Sequence, residues 1–301
     1  MDYSTYLNVN NILWSKGCVD GHYKTLSTEC IVNDQYMFMM IEKFNSSEHN
    51  FFWIRCTSIP QPVNDLDLLI LNIDKINKPF ILITSDGDRA VPSSYNSNTI
   101  HVILNNDKVL SWFTQNYDRS IIHSKLKYMP IGLDLHTQRW FINDSNSQKI
   151  EYMIKKRINT SDKIIDKIFA DFHLHMTHTE RNYLHDTVVN NESVFFTNSC
   201  SFQNITDLYN QYQFVLSPRG HGLDCHRTWE LFLAGAIIIT KTTPLDNMFI
   251  DNNLPVVILQ DWNELNDNLE EKLKQWYAKY FPLTSIENIF PKMTFNYWLT
   301  K

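Results

Sequence analysis

Between residues 163 and 260 short apolar runs alternate with segments of helical spacing, and this alternation constrains the fold more than any other feature of the chain. KIIDKIFADF (163–172), SVFFTN (193–198), QFVLSP (213–218), AIIITK (236–241) and LPVVILQ (254–260) read as strands. TERNYLHDTVVNN (179–191), TDLYNQY (206–212) and DCHRTWELFLAG (224–235) read as helices, followed by a long amphipathic helix at 261–279. Runs that are apolar throughout, with no in-and-out alternation, fit strands covered on both faces. Such strands separated by helices predict a parallel, doubly wound sheet.

The first half repeats the texture less regularly. FFWIRC (51–56), DLDLLILN (65–72), KPFILITSD (78–86), NTIHVILN (98–105) and KYMPIGL (127–133) read as strands, and DKVLSWFTQNYD (107–118) has helical spacing. Residues 134–163 are polar, which places a boundary or crossover at 145–165. The expectation is an α/β protein with two doubly wound, Rossmann-like domains facing a cleft. Their predicted extents are 1–160 and 161–280, with a tail at 281–301 crossing back to the first. A length of 301 residues suits two cores of this kind.

Composition narrows the function classes. With 43% hydrophobic and 20% charged residues the chain is not disordered. A net charge of −6 gives no field that would draw it onto nucleic acid, so none is expected as a partner. Five widely spaced cysteines, at 18, 30, 56, 200 and 225, with no CxxC, fit free thiols in a reducing compartment. No apolar window spans a membrane and the first residues carry no secretory pattern, so a soluble cytoplasmic protein is expected.

Three of the 7 glycines lie between 220 and 235, in SPRGHGLDCHRTWELFLAG. The order is apolar strand, glycine loop, helix opening near Asp224. Gly220 and Gly222 let backbone N–H groups approach a ligand, and the helix start adds roughly half a positive charge. Ser217, Arg219, His221, His226 and Arg227 line the same junction. Glu230, three residues beyond Arg227, supplies a carboxylate that can accept ribose hydroxyls. Donors for phosphates beside an acceptor for a sugar describe a nucleoside-diphosphate site. The pattern is neither G-x-G-x-x-G nor a Walker A loop.

The run FVLSPRGHGLDCHRTWELFLAGAIIIT resembles the donor-site signature of exostosin-like glycosyltransferases of the two-domain GT-B type. ILITSDGDRAVP (81–92), LNNDKVLSWFTQNYD (104–118) and MPIGLDLHT (129–137) are similar to segments of small stand-alone members, including those of large DNA viruses. The resemblance implies transfer of a sugar from a nucleoside diphosphate, uridine diphosphate first, to a hydroxyl of a glycan or glycoprotein, with no metal cofactor. It assigns Glu230 to the donor ribose, Arg227 and Arg181 to the phosphates, and Arg219 to Gly222 to the pyrophosphate or sugar. Lys241 and Thr242 are expected at the same sheet end. Retaining members often carry two glutamates eight positions apart; here Gly222 and Ile238 stand at that spacing from Glu230, which implies inversion.

An inverting transfer needs a general base. Asp86 and Asp88, directly after the strand ILITS, are the first candidates, and Asp134, after PIGL, is the next. One motif supports a rival. Asp171, His173 and His175 alternate at a strand end, an arrangement that holds metal in phosphoesterases and amidohydrolases. In the transferase reading His173 and His175 contact substrate instead. A non-catalytic sugar-nucleotide binder is the third alternative.

Overall fold

The computed structural model describes residues 12–15, 33–56, 65–135, 145–159, 162–172, 174, 179–197 and 201–301. The chain divides into two compact units. The N-terminal unit is Trp14–Ile131 with Gly222–Asp224 and Trp298–Lys301; the C-terminal unit is Met1–Leu13, Gly132–His221 and Cys225–Tyr297.

In the N-terminal unit α1 (Asp34–Ser46) precedes β1 (Phe51–Arg55), α2 (Asp65–Asn72), β2 (Phe80–Ser85), α3 (Ser97–Asn105), β3 (Val109–Thr114) and β4 (Leu126–Tyr128). The strands form one parallel sheet in the order β1-β2-β3-β4. Asn33 starts α1 by accepting a hydrogen bond from the Tyr36 N–H. Met37, Met40, Ile41 and Phe44 then fall on one buried stripe. Phe44 meets Phe52 edge-on at 5.3 Å and Phe80 at 6.0 Å, locking α1 onto β1 and β2.

Three elements differ from the sequence expectation. Residues 65–72 and 97–105 are helices, not strands, and 109–114 is a strand, not a helix. Eight apolar-rich residues fit either period, and capping decides one of the cases: Asn96 accepts from the Asn98 N–H and opens α3. The stretch at 109–114 lies between two strands, and pairing on both sides overrides its helical spacing.

The C-terminal unit carries α4 (Asn146–Asn159), β5 (Ile164–Ala170), α5 (Thr179–Val188), β6 (Val194–Phe196), α6 (Phe202–Gln211), β7 (Tyr212–Leu216), α7 (His226–Leu233), β8 (Ile237–Lys241), α8 (Asp246–Asp251), β9 (Val256–Leu259), α9 (Leu269–Tyr280) and α10 (Ile286–Lys292). A last short helix, α11 (Phe295–Leu299), follows. The sheet is parallel, in the order β6-β5-β7-β8-β9. The chain leaves β5 toward one edge, then returns past it to β7. Crossovers of one hand therefore put helices on both faces. Accordingly α4 packs on α6 and α7, while α9 packs on β5, and α5 on the turn at 262–266.

The segment expected to hold the boundary contains α4, which belongs to the C-terminal unit; the division falls at Ile131/Gly132. The helix expected at 261–279 is interrupted. Asp261 and Glu264 form a capping box around a short 3-10 turn, and Asn268, at φ 47°, breaks the chain before α9. Among the described residues no helix is long and apolar enough to cross a membrane.

Candidate functional site

Strand order places the site. In an open parallel sheet, ligands sit beyond the carboxyl ends of the strands where the order reverses. Here that point lies between β5 and β7. Asp171 follows β5, and Ser217, Pro218, Arg219 and Gly220 follow β7. Arg181 in the first turn of α5 and Arg227 in the first turn of α7 complete the crevice.

Arg227 is held from behind. Its Nε lies 3.1 Å from Asp171 Oδ1 and donates to the Tyr209 hydroxyl at 3.3 Å. Its Nη2 donates to the Asp171 carbonyl at 3.4 Å, and Tyr209 donates to Asp171 Oδ2 at 2.8 Å. Burial works against the Arg227 charge, but Asp171 and Tyr209 outweigh it and push its pKa up. Burial, and then the Asp171 charge, raise the Tyr209 phenol well above its ordinary value. Arg181 is 4% exposed, and burial followed by repulsion from Arg227 lowers its pKa. Its Nε donates to the Arg219 carbonyl at 2.9 Å. Gly220 runs beside it: a Cβ there would stand 3.6 Å from Arg181 Nη2 and 3.3 Å from Cys225 Sγ. Two neighbouring guanidinium groups with one carboxylate among them leave net positive charge at this sheet end, a chemistry suited to an anion.

The start of α7 adds to this. Cys225 at the N-cap gives no side-chain hydrogen bond to the helix. Ser217, buried, is 3.0 Å from the Thr228 hydroxyl and ties the end of β7 to α7. His226 Nδ1 donates to the Gly132 carbonyl at 2.8 Å, which fixes its tautomer. His221 is exposed, and its carbonyl accepts from Arg219 Nη2 at 3.3 Å. Glu230 is 6% exposed and lines a small cavity with Met153, Thr206, Tyr209, Asn210 and Ala234.

Other expected residues stand elsewhere. Gly222 and Asp224 belong to the N-terminal unit. Asp224 N–H donates to Asn116 Oδ1 at 2.9 Å, its Oδ2 accepts from the Ile131 N–H at 2.7 Å, and Gly222 packs on the Asn116 amide. These contacts hold the chain. Thr242, exposed, donates to Oδ2 of Asp246, the first residue of α8, at 2.5 Å, while Lys241 ends β8, half-buried. His173 and His175 lie outside the described residues. Asp171, the remaining member of that motif, has both carboxylate oxygens engaged, by Arg227 and by Tyr209. Among the described residues no group of three or more His, Cys, Asp or Glu gathers as for a metal ion.

The candidate bases differ. Asp86, at φ 62° and 8% exposed, pairs through Oδ2 with Arg55 Nε at 3.0 Å, and its N–H donates to Gln115. Asp88, half-buried on the same loop, has no hydrogen-bond or ion-pair partner among the described residues. The loop between them is fixed: Gly87 O accepts from Gln115 Nε2 at 2.7 Å and Asn116 Nδ2 at 2.9 Å. A Cβ at Gly87 would fall 1.1 Å from the Cys56 carbonyl oxygen, so only glycine fits. Asp134 is 3% exposed and belongs to the C-terminal unit. Sequence reasoning missed Tyr209 altogether. It sits in a helix with no motif around it, and only the packing of α6 beside β5 and β7 brings its hydroxyl to Asp171.

No protein-family model matches the chain, and a search of curated proteins finds no match. Among solved structures, WaaG, a glycosyltransferase involved in lipopolysaccharide biosynthesis, is similar over 88% of this chain and 95% of its own, at 8% identity and a TM-score of 0.38. AviGT4, a glycosyltransferase involved in avilamycin A biosynthesis, is similar over 84% and 97%, at 8% identity and a TM-score of 0.34. The pneumococcal O-GlcNAc transferase GtfA, solved with UDP and GlcNAc, is similar over 78% and 56%, at 13% identity and a TM-score of 0.29. The strand orders of the two parallel sheets carry the fold assignment: this chain is an α/β protein with two Rossmann-like units.

Proposed function

We propose that the chain is a GT-B-type glycosyltransferase that takes a sugar from a nucleoside diphosphate, uridine diphosphate first, and transfers it with inversion to a glycan hydroxyl. The observation that carries this reading is the pair of arginines, Arg181 buried and Arg227 half-buried, at the crevice between β5 and β7. In the proposed reaction the acceptor oxygen attacks the anomeric carbon and its proton passes to the general base, Asp88. The bond from the anomeric carbon to the diphosphate oxygen breaks, and the electron pair leaves with the diphosphate. Arg181, Arg227 and the N-terminus of α7 stabilise that developing charge, a task a divalent metal performs elsewhere. Glu230 accepts hydroxyl hydrogens of the donor ribose. The engaged state of Asp171 favours this reading over the metallohydrolase.

The test is diphosphate release from a panel of nucleotide sugars, paired with calorimetry of Glu230→Ala. Hydrogen bonds to a charged group are worth about 1.5–3 kcal/mol, so uridine diphosphate affinity should fall about ten- to a hundredfold. Glu230→Gln should lose less, because the amide oxygen still accepts. No binding of any nucleoside diphosphate to the wild-type protein, or unchanged affinity in Glu230→Ala, overturns the donor site.

A further inference from the structure

The guanidinium of Arg227 has two edges, and the protein uses one of them. Nε and Nη2 face Asp171 and Tyr209, through the carboxylate, the hydroxyl and the Asp171 carbonyl. Nη1 has no hydrogen-bond acceptor among the described residues. An arginine whose plane is set beforehand binds an anion more tightly, because a free side chain loses rotamer entropy on being set. Asp171 and Tyr209 supply that setting. They also offset the charge that Arg227 and Arg181 bring together before any ligand arrives; burial first, and then the Arg227 charge, lower the Arg181 pKa. The two partners come from different elements, the residue after β5 and the last turn of α6, so both elements aim Arg227.

We infer that Tyr209 and Asp171 are positioning residues that fix Arg227 with its Nη1 edge open to the diphosphate of the ligand. The inference rests on the donor-site reading above. It also gives the strand-end aspartate of the Asp171–His173–His175 motif a role other than metal binding.

The experiment measures the affinities of uridine diphosphate and of uridine for the wild type, Tyr209→Phe, Arg227→Ala and the double variant Tyr209→Phe/Arg227→Ala. Tyr209→Phe removes one hydroxyl and changes no charge. It should weaken uridine diphosphate about tenfold and leave uridine within twofold, so that the preference for the diphosphate falls. The double variant should bind uridine diphosphate no more weakly than Arg227→Ala alone, because Tyr209 acts only through Arg227. A merely structural role predicts a lower melting temperature with an unchanged preference, or additive losses in the double variant, and either result overturns the inference. Should Tyr209→Phe fail to fold, Asp171→Asn keeps the shape and must show the same non-additivity with Arg227→Ala; additive losses there also overturn it. If the wild type binds no uridine diphosphate, the donor-site reading fails and the inference with it. If the wild type binds and Tyr209→Phe keeps its preference, only the positioning role fails.

Discussion

Asp86 and Asp88 share one loop and meet different surroundings, and under the proposed function that difference makes Asp88 the candidate base. Asp86 is buried, backbone-strained at φ 62°, and paired with Arg55. Such a carboxylate holds the loop, through its ion pair with the partly exposed Arg55 and the hydrogen bond its N–H gives to Gln115. Asp88 is half-buried and, among the described residues, unpartnered. Asp88→Asn should therefore lower turnover by at least a hundredfold, in line with general-base contributions of about 10²–10⁴, with thermal stability and donor affinity little changed. Asp86→Asn should instead lower the melting temperature. Turnover and thermal denaturation of the two variants separate the roles: near-wild-type turnover in Asp88→Asn removes it as the base. The sequence alone left the two aspartates equivalent, because the partner of Asp86 comes from β1, 31 residues away.

At the scale of elements, α7 is bounded by positive charge at both ends, for opposite reasons. Its start meets Arg181 and the glycine loop. Its end is satisfied by Lys163, whose Nζ donates to the Ala234 carbonyl at 2.8 Å, and by Arg157, which donates to the Leu233 carbonyl at 3.0 Å. Burial, and then the Arg157 charge, push the Lys163 ammonium down to about 7. The unfolded chain, with a lysine value of about 10.4, then binds this proton more tightly than the native protein. Stability contributed through Lys163 should rise as pH increases from about 7 toward 10, and the charged form should weigh on the fold below 7. Denaturant unfolding at pH 6.5, 8 and 9.5 checks this: the stability of the wild type relative to Lys163→Met should rise with pH. A constant difference would mean that Lys163 keeps its ordinary affinity for the proton. The alternation that made β7, β8 and β9 legible rests on buried apolar runs punctuated by Pro218, Gly235 and Pro255, while β5, exposed over its first four residues, was legible from its apolar end alone. The N-terminal helices α2 and α3 were not legible, because eight or nine residues such as NTIHVILN match both periods and only the cap at Asn96 tells them apart. In the site, the charged residues near 217–230 were legible from their crowding. The split of that segment was not: Gly220 stays with Arg181, while Gly222 and Asp224 pack on Asn116, a distinction made by tertiary contacts alone.

For the whole molecule the proposed chemistry makes a statement about metal. The two sheets have separate hydrophobic clusters, one around Phe52, Phe80 and Trp112 and one around Phe172, Phe214 and Trp262. The proposed anion site belongs to the second sheet, at the carboxyl ends of β5 and β7. A ligand that binds the native state alone stabilises it by RT ln(1 + [L]/Kd), about 2.7 kcal/mol at a hundredfold excess over Kd. For folding units of this size that corresponds to a rise in melting temperature of roughly 5–10 °C. Uridine diphosphate should produce this rise in metal-free buffer, and EDTA should leave it intact, because two guanidinium groups and a helix N-terminus take the place of a cation. Uridine, lacking the charge, should give a small shift at the same concentration. Raising the salt concentration should reduce the diphosphate shift only partly, since buried charges are screened less than exposed ones. Arg227→Ala should lose most of the rise, while its melting temperature without ligand reports separately on the buried Asp171 left behind. Abolition of the uridine diphosphate effect by EDTA, with recovery on adding a divalent metal, would overturn the metal-independent mechanism and return Asp171 to consideration as a metal ligand.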